Sequence, residues 1–468
     1  MAWRFLGRPG RSWRNWSRNL EAFPERVFHP KSLEDLQAII HLARVKNKKI
    51  RVAGNSHSWA PLVPTEDFLV FTAQLKGIDI DLSDRDRPRV TVAAGTTVAE
   101  LNEACRENGL VFPANVVPTE FHMAAVAATG SHGTGIREQT VPDFVEAVEI
   151  VDAEGRLRRF TERDGVEVMN AARLNLGVLG IIWRVTFRVV PAFSVHEVDH
   201  MKIEMEGAIQ HFGEWVTSHD YTELVWWPFN RNMWVKHYDR TNEAPRVRFC
   251  RHCWTELVQR LKLVLGRMLY ALMVLLPSLT PLLMRLMYRA SGGNVDTVIP
   301  LEWAIHYQAG LKIIRATNAE VAFPIDADFA NVKSAWRTVV SKTREYQARR
   351  SYPFNMALVA RFVRGSGIPL SPAHGQGLMC FIEIMSFADT ADWVPFSTDV
   401  LAEWLRIPQA RPHWAKEARQ FSPALMREAY GEDLRRFLRI RDDLGVDARN
   451  MFVNDYLEEV FFGNARSS

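Results

Sequence analysis

A chain of 468 residues is long enough for two to three domains, and 47% hydrophobic with 24% charged residues is ordinary globular composition. Its 58 basic and 54 acidic residues leave a net charge of only +4, too even a balance for nucleic acid to be the main partner. Four cysteines are too few to staple a chain of this length, which points to a reducing compartment.

The chain opens on a basic stretch, Arg4, Arg8, Arg11, Arg14 and Arg18, with Trp3, Trp13 and Trp16 among them. A transit peptide or a membrane-facing arm is the alternative, but no apolar run follows and the periodic pattern begins almost at once, so it reads as a simple basic N-terminus. Residues 32 to 47 carry Leu33, Leu36, Ile39, Ile40 and Ala43 at helical spacing, opened by Ser32 with Asp35. A strand from Ile50 to Ala53 runs into Gly54 and a small polar loop. A second strand, Val90 to Ala93, leads to a helix capped by Thr97 and Glu100 and stopped at Gly109. Val145 to Val151 and Arg156 to Phe160 flank Asp-Ala-Glu-Gly, a hairpin signal, and Ile181 to Val190 is another strand, ended by Pro191. Beyond it the sequence becomes tryptophan-rich and irregular. From about Asp433 the chain ends in a charged helix and a last turn, Asn454 to Phe462. The fold class is α+β.

Neither a GxGxxG after a strand nor a GxxxxGK[ST] loop is present, which removes the two commonest nucleotide folds. Two other loops remain, RVAGNSHSWAP at 51–61 and AAVAATGSHGTG at 124–135. Both concentrate small residues, hydroxyls and backbone amides without acids, which is the chemistry a pyrophosphate needs for close approach. Cys250 and Cys253 form a lone CxxC with no second ligand pair, so no metal site is expected.

With their flanks these loops are far more specific. Trp13-Arg14-Asn15-Trp16-Ser17, Phe28-His29-Pro30-Lys31-Ser32, the GNSHS loop, AGTTVAELN, TGSHGTG, LGVLGIIWRVTFRVVP at 176–191, LSPAHG at 370–375, RPHWAK at 411–416 and FVNDYL at 452–457 follow one another in a family's order. By these motifs the chain resembles the aldonolactone oxidase branch of the vanillyl-alcohol oxidase type flavoproteins. The resemblance implies a two-part FAD-binding domain of the PCMH type over 13–194. It further implies an α+β cap or substrate domain over 195–432 and a C-terminal segment, 433–468, packing back on the first domain. It implies that Arg51, Gly54, Asn55, Ser56 and Ser58, with Thr129, Gly130, Ser131, Gly133 and Gly135, hold FAD, and that Ile182 meets its adenine side. His57 stands where oxidases of this kind carry the histidine bonded to the flavin 8α carbon, so covalent attachment is expected there. His132 reads as a structural or cofactor-packing residue.

The reaction implied is hydride transfer from a CH–OH group of a small hydroxylated substrate, an aldonolactone or related polyol, to FAD. Electrons then pass to O2; the alternatives are a membrane-associated enzyme that oxidises a lipid-linked sugar or sterol with a quinone-like carrier as acceptor, and a membrane-attached flavin-binding protein without catalysis. Arg361 and Lys416 match cationic positions near the flavin, and His413 is a third catalytic candidate. Arg361 would stabilise negative charge; Lys416 would do the same, or act as base if burial lowers its pKa. Relatives that oxidise sugars place a glutamate two residues before this arginine, whereas Val359 stands here, and Glu383 is a possible replacement.

Met268 to Met284 carries no charge and is bracketed by Arg260, Lys262, Arg267, Arg285 and Arg289. Pro277 and Pro281 break it, so a single spanning helix is not expected. An insert of about 261–290 that lays two helices on a membrane surface fits better, and a buried helical pair is the alternative. The expected location is the cytoplasm, with peripheral attachment to a membrane through that insert.

Overall fold

A computed structural model describes residues 7–10, 12–246, 261, 264–291, 293–305, 314–417 and 419–463. The Cys250/Cys253 pair lies outside the described residues. Local signals settle the N-terminal elements. Ser32 caps the helix Leu33–Lys46 by accepting from the Asp35 amide, and Asn47 ends it at φ 50°. Thr97 and Glu100 form a reciprocal capping box on the helix Val98–Glu107. Asp152 accepts from the Glu154 and Arg156 amides, closing the hairpin between Val145–Val151 and Leu157–Thr161.

Two sheets carry this region. Arg26–Phe28 and Ile50–Ala53 run parallel to Phe68–Phe71 between them, with Arg8–Pro9 at the edge. Leu157–Thr161, Val145–Val151, Ile181–Arg188, Arg89–Ala93 and Ile78–Asp81 form an antiparallel sheet in that order. Helix Met123–Ala128, made of small residues, is buried in the core that both sheets share.

After Pro191 an eight-stranded antiparallel sheet runs Val295–Pro300, Ser194–Glu204, Asn232–Thr241, Tyr221–Trp226, Ala357–Arg364, Leu378–Phe387, Ala316–Pro324 and Arg411–Pro412. Side chains alternate across a strand. Leu358, Ala360, Phe362, Ile382 and Ile384 share a core with Trp336 and Val339 of helix Ala330–Ala348 and with Trp404 of helix Trp393–Trp404. The opposite face, with Val359, Arg361, Val363, Phe381 and Glu383, is turned to the glycine loops, and Gly135 N donates to Phe362 O at 2.6 Å where the two meet.

The C-terminal helix begins earlier than its charge pattern suggests, at Pro423, capped by Ser422, and runs to Leu444 with a break at Gly431 (φ 43°, ψ −120°). The last segment then returns to the first sheet: Ile50 N donates to Met451 O, Asn454 Nδ2 to the Pro61 and Pro64 carbonyls, and Lys49 pairs with Glu458 at 2.8 Å. The insert forms helical turns over 264–275 and a helix Thr280–Ser291, separated at Pro277–Leu279. Met273, Leu283 and Met284 are buried there, while Val274, Leu275, Leu282 and Leu286 face outward. Among the described residues no helix is long and apolar enough to cross a membrane.

Candidate active site

A cleft partly open to solvent runs between the two glycine loops to the inner face of the large sheet. Gly54, Asn55, Ser56, His57, Ser58, Thr129, Ser131, Ile182, Arg361, His413 and Lys416 all line it, with Trp16, Trp59 and a floor of small residues such as Ala124, Ala125 and Ala128. Gly130, Gly133 and Gly135 are not among its lining residues. A Cβ on Gly133 would lie 2.4 Å from Asn115 O and one on Gly135 2.7 Å from Tyr221, while Gly130 packs on Leu174 and Pro372. These three let the loop pack against its neighbours.

Side chains in the loops largely brace the loops. Ser56 Oγ accepts from Trp13 Nε1, Ser58 Oγ donates to carbonyls of Ala60 and Ala415, and Thr129 Oγ1 donates to Ala125 O. Arg51 is buried and gives its guanidinium to the carbonyls of Leu62, Leu176, Gly177 and Phe452. Burial lowers its pKa to about 10, which leaves it cationic. The first loop offers backbone amides and a wall without acids, which suits a pyrophosphate, whereas in the second the Gly130, Ser131 and Gly135 amides donate to the carbonyls of Ala127, Val126 and Phe362. The small-residue floor gives a flat ring system room. Asn318 Oδ1, buried at the sheet end of the cleft, has no hydrogen-bond partner. On this donor set the residues present fit FAD.

At the sheet end, cross-strand register assembles a charged cluster. Glu223 stands opposite Arg361, and Glu383 stands opposite both Val359 and Glu320. Directly paired residues share a face, so Glu383 delivers its carboxylate to the site where Val359 supplies none. Arg361 is held by Glu223 (Nε–Oε1 2.9 Å) and Glu383 (3.0 Å). Lys416 sits on the loop after Arg411–Pro412 and reaches Glu383 at 3.0 Å and Glu320 at 3.3 Å, with its Nζ over the Trp59 ring at 5.3 Å. Two facing buried carboxylates would repel; the ammonium between them removes the conflict.

This overturns one expectation. Burial alone would lower the Lys416 pKa, but Glu320 and Glu383 outweigh it and raise it, so Lys416 stays protonated and is no base. Burial likewise opposes the charge on Glu320 and Glu383, yet Lys416 with His132 holds Glu320 well below the usual range, and Lys416 with Arg361 lowers Glu383. His413 is buried, and its pKa falls to about 3. Its Nδ1 accepts from the Ala415 amide, which leaves the ring proton on Nε2 as a donor.

Glu320 and Glu223 are the residues of this cluster that the sequence does not reveal. Asn318 and Glu320 alternate within the apolar strand ATNAEVAFP, and that polar face was the available signal. His132, stacked on Phe381 at 3.5 Å, bonds Glu320 at 3.0 Å, a packing role as expected. His132, Glu320 and His413 bring ligand atoms within 4.8 Å of one another, but the Lys416 ammonium already neutralises Glu320.

Residues 24–161 match the family model described as FAD binding domain, and residues 185–460 match that described as D-arabinono-1,4-lactone oxidase. The chain is 27% identical to an L-gulonolactone oxidase of Scyliorhinus torazame, covering 97% of this chain and 99% of that one. It is 23% identical to a D-arabinono-1,4-lactone oxidase of Candida glabrata, covering 96% of each. A Mycobacterium tuberculosis relative, 27% identical over 96% of this chain and 98% of its own, is an L-gulono-1,4-lactone dehydrogenase. Among solved structures, a cholesterol oxidase from B. sterolicum superposes with a TM-score of 0.79 at 16% identity, covering 97% of both chains, which speaks for the fold alone. The second family model covers more than half the sequence and contains Arg361, Glu383 and Lys416; the chain belongs to the D-arabinono-1,4-lactone oxidase family and is an FAD-dependent oxidoreductase.

Proposed function

We propose that this protein oxidises a hydroxyl-bearing carbon of an aldonolactone of the L-gulono- or D-arabinono-1,4-lactone type and delivers the electrons to O2. The observation that carries this reading is the Arg361–Glu383–Lys416 cluster closing the same cleft that both glycine loops line. Bound FAD supplies the hydride acceptor. Gly54, Asn55, Ser56 and Ser58 would hold it through backbone amides, Thr129 and Ser131 would line its other side, and Ile182 would meet its adenine side. Gly130, Gly133 and Gly135 shape the second loop, and Arg51 fixes the first from behind.

The remaining chemistry belongs to the polar residues. Arg361 and Lys416 present positive charge to the substrate oxygen and stabilise the negative charge that grows as its proton leaves. His413 donates from Nε2 and orients that oxygen. Three carboxylates, Glu223, Glu320 and Glu383, surround the two cations Arg361 and Lys416. Glu320 and Glu383 stay paired with Lys416 and Arg361 and hold those cations in place. The domain reading remains 13–194 for the flavin, 195–432 for the substrate and 433–468 for the returning segment, and the start of the large sheet at Ser194 supports its first bound.

His57 is proposed as the covalent attachment point; it lines the cleft with its ring against Trp16 and Phe121. The insert is proposed to rest on a membrane, because Val274, Leu275 and Leu282 are 50%, 76% and 54% exposed beside exposed Arg267, Arg285 and Arg289. This gives a cytoplasmic protein with peripheral attachment, and it leaves a lipid-soluble quinone as a second electron acceptor.

A panel of aldonolactones and alditols, added anaerobically to the purified flavoprotein, tests the activity. A lactone should bleach the visible flavin absorbance and air should restore it with hydrogen peroxide release. Bleaching by none of the panel sinks the substrate class; restoration only by a quinone or dye replaces O2 as acceptor. Flotation with liposomes, lost in a Leu275→Asp/Leu282→Asp variant, tests the membrane contact.

A further inference from the structure

The mouth of the flavin cleft holds a second small cluster that the hydride chemistry does not use. His57 stacks on Trp16 at 5.3 Å between ring centroids and tilts against Phe121 at 4.7 Å. Glu120 completes the enclosure. Its Oε1 is buried, accepts no hydrogen bond, and lies 3.9 Å from His57 Nε2. Both side chains are largely enclosed, 15% exposed for His57 and 14% for Glu120. The first glycine loop is pinned here to the segment before the helix Met123–Ala128: Asn55 Nδ2 donates to Glu120 O, and a Cβ on Gly54 would meet His122 Nδ1 at 3.0 Å.

Two aromatic rings and a carboxylate around an imidazole are a receptacle for positive charge. A resting neutral histidine has no need of one. An imidazole whose nitrogen is forming a bond to carbon does, because the alkylated ring is a cation until its remaining N–H proton leaves.

We propose that Glu120 is the positioning residue for autocatalytic attachment of the flavin to His57; this rests on the attachment reading given above. In the step, the flavin 8α carbon loses a proton, a His57 nitrogen forms the new C–N bond to it, and the electron pair released stays on the isoalloxazine, which ends two-electron reduced. Dioxygen takes that pair and leaves as hydrogen peroxide. The Glu120 carboxylate stabilises the imidazolium as it forms and receives its N–H proton; Trp16 and Phe121 hold the ring in line.

The test compares wild type, His57→Ala, Glu120→Gln and Glu120→Asp as purified and after incubation with excess FAD in air. Total bound flavin is read by absorbance. The attached fraction is read as flavin that stays with the acid-precipitated chain and as flavin-bearing peptide by mass. Glu120→Gln should bind as much total flavin as wild type yet attach it about tenfold more slowly, as expected when charge stabilisation is removed from the bond-forming step. Glu120→Asp should recover part of that rate. Attachment in Glu120→Gln at the wild-type rate overturns this inference alone, as does a loss of total flavin in proportion to attached flavin. A wild type with no acid-stable flavin overturns the His57 attachment itself, and the inference with it.

Discussion

Lys416 answers two facing carboxylates at once, at 3.0 Å and 3.3 Å, and all three side chains are largely buried. Lys416→Met should therefore abolish turnover and also lower stability by about 3–5 kcal/mol, the usual cost of stranding a buried charge. Adding Glu320→Gln should restore most of the unfolding temperature and none of the activity. A single variant as stable as wild type would refute this account of the cluster. Arg51→Met removes the donor to four carbonyls and should cost at least about 3 kcal/mol with loss of bound flavin, measured by thermal unfolding and flavin content. His57 and Lys416 were legible because each sits in a contiguous motif, and Arg361 because it matches a cationic position even though Val359 breaks the pattern around it. Glu320 and Glu223 were not, because their roles come from cross-strand register with Glu383 and Arg361, and register is not written in any one segment. Arg51 is a related case. It stands in the FAD loop, but its partners at Leu176, Gly177 and Phe452 lie far along the chain.

Helices and hairpins whose ends are fixed by neighbours two to four residues away came through with their caps, as Ser32, Thr97 and Asp152 show. The C-terminal helix did not, because its first half has Pro423 and Gly431 where a continuous helix would be read as broken. Gly431 holds φ 43° and ψ −120° with open space around its missing side chain. Gly431→Ala meets no steric obstacle, so its cost is conformational, about 1–2 kcal/mol. A lowered unfolding temperature with unchanged flavin content is the expected result; a neutral or stabilising substitution would mean that the kink is not held. The insert illustrates the same limit from the other side. Its proline-broken apolar run predicts two helices, but only packing decides that Met273 and Leu283 turn inward and Leu275 and Leu282 outward.

Three histidines buried in different parts of the molecule tie its overall stability to pH. Burial lowers His122, under the first glycine loop, to about 4, and His413, between Glu320, Lys416 and His132, to about 3. His237, in the substrate sheet beside His219, His200 and Asp239, also falls to about 3, again chiefly through burial. The unfolded chain binds a proton at each near pH 6.5, so between roughly pH 6.5 and 4 the unfolded state carries protons that the folded state refuses. Stability is full above that window and falls as pH drops through it, by up to about 1.4 kcal/mol per pH unit for each histidine. Glu320 and Glu383, held low by Lys416, add their loss from the unfolded-chain value of 4.5 downward, as the unfolded state takes up protons that the folded state refuses. The unfolding temperature should therefore be flat from pH 8 to about 7 and decline steadily below about 6.5, well before carboxylates titrate. His237 lies outside the residues lining the flavin cleft, so His237→Gln should shallow the decline by about one third while leaving flavin content unchanged. A midpoint that stays constant down to pH 5 would show that these histidines take up protons without unfolding the chain.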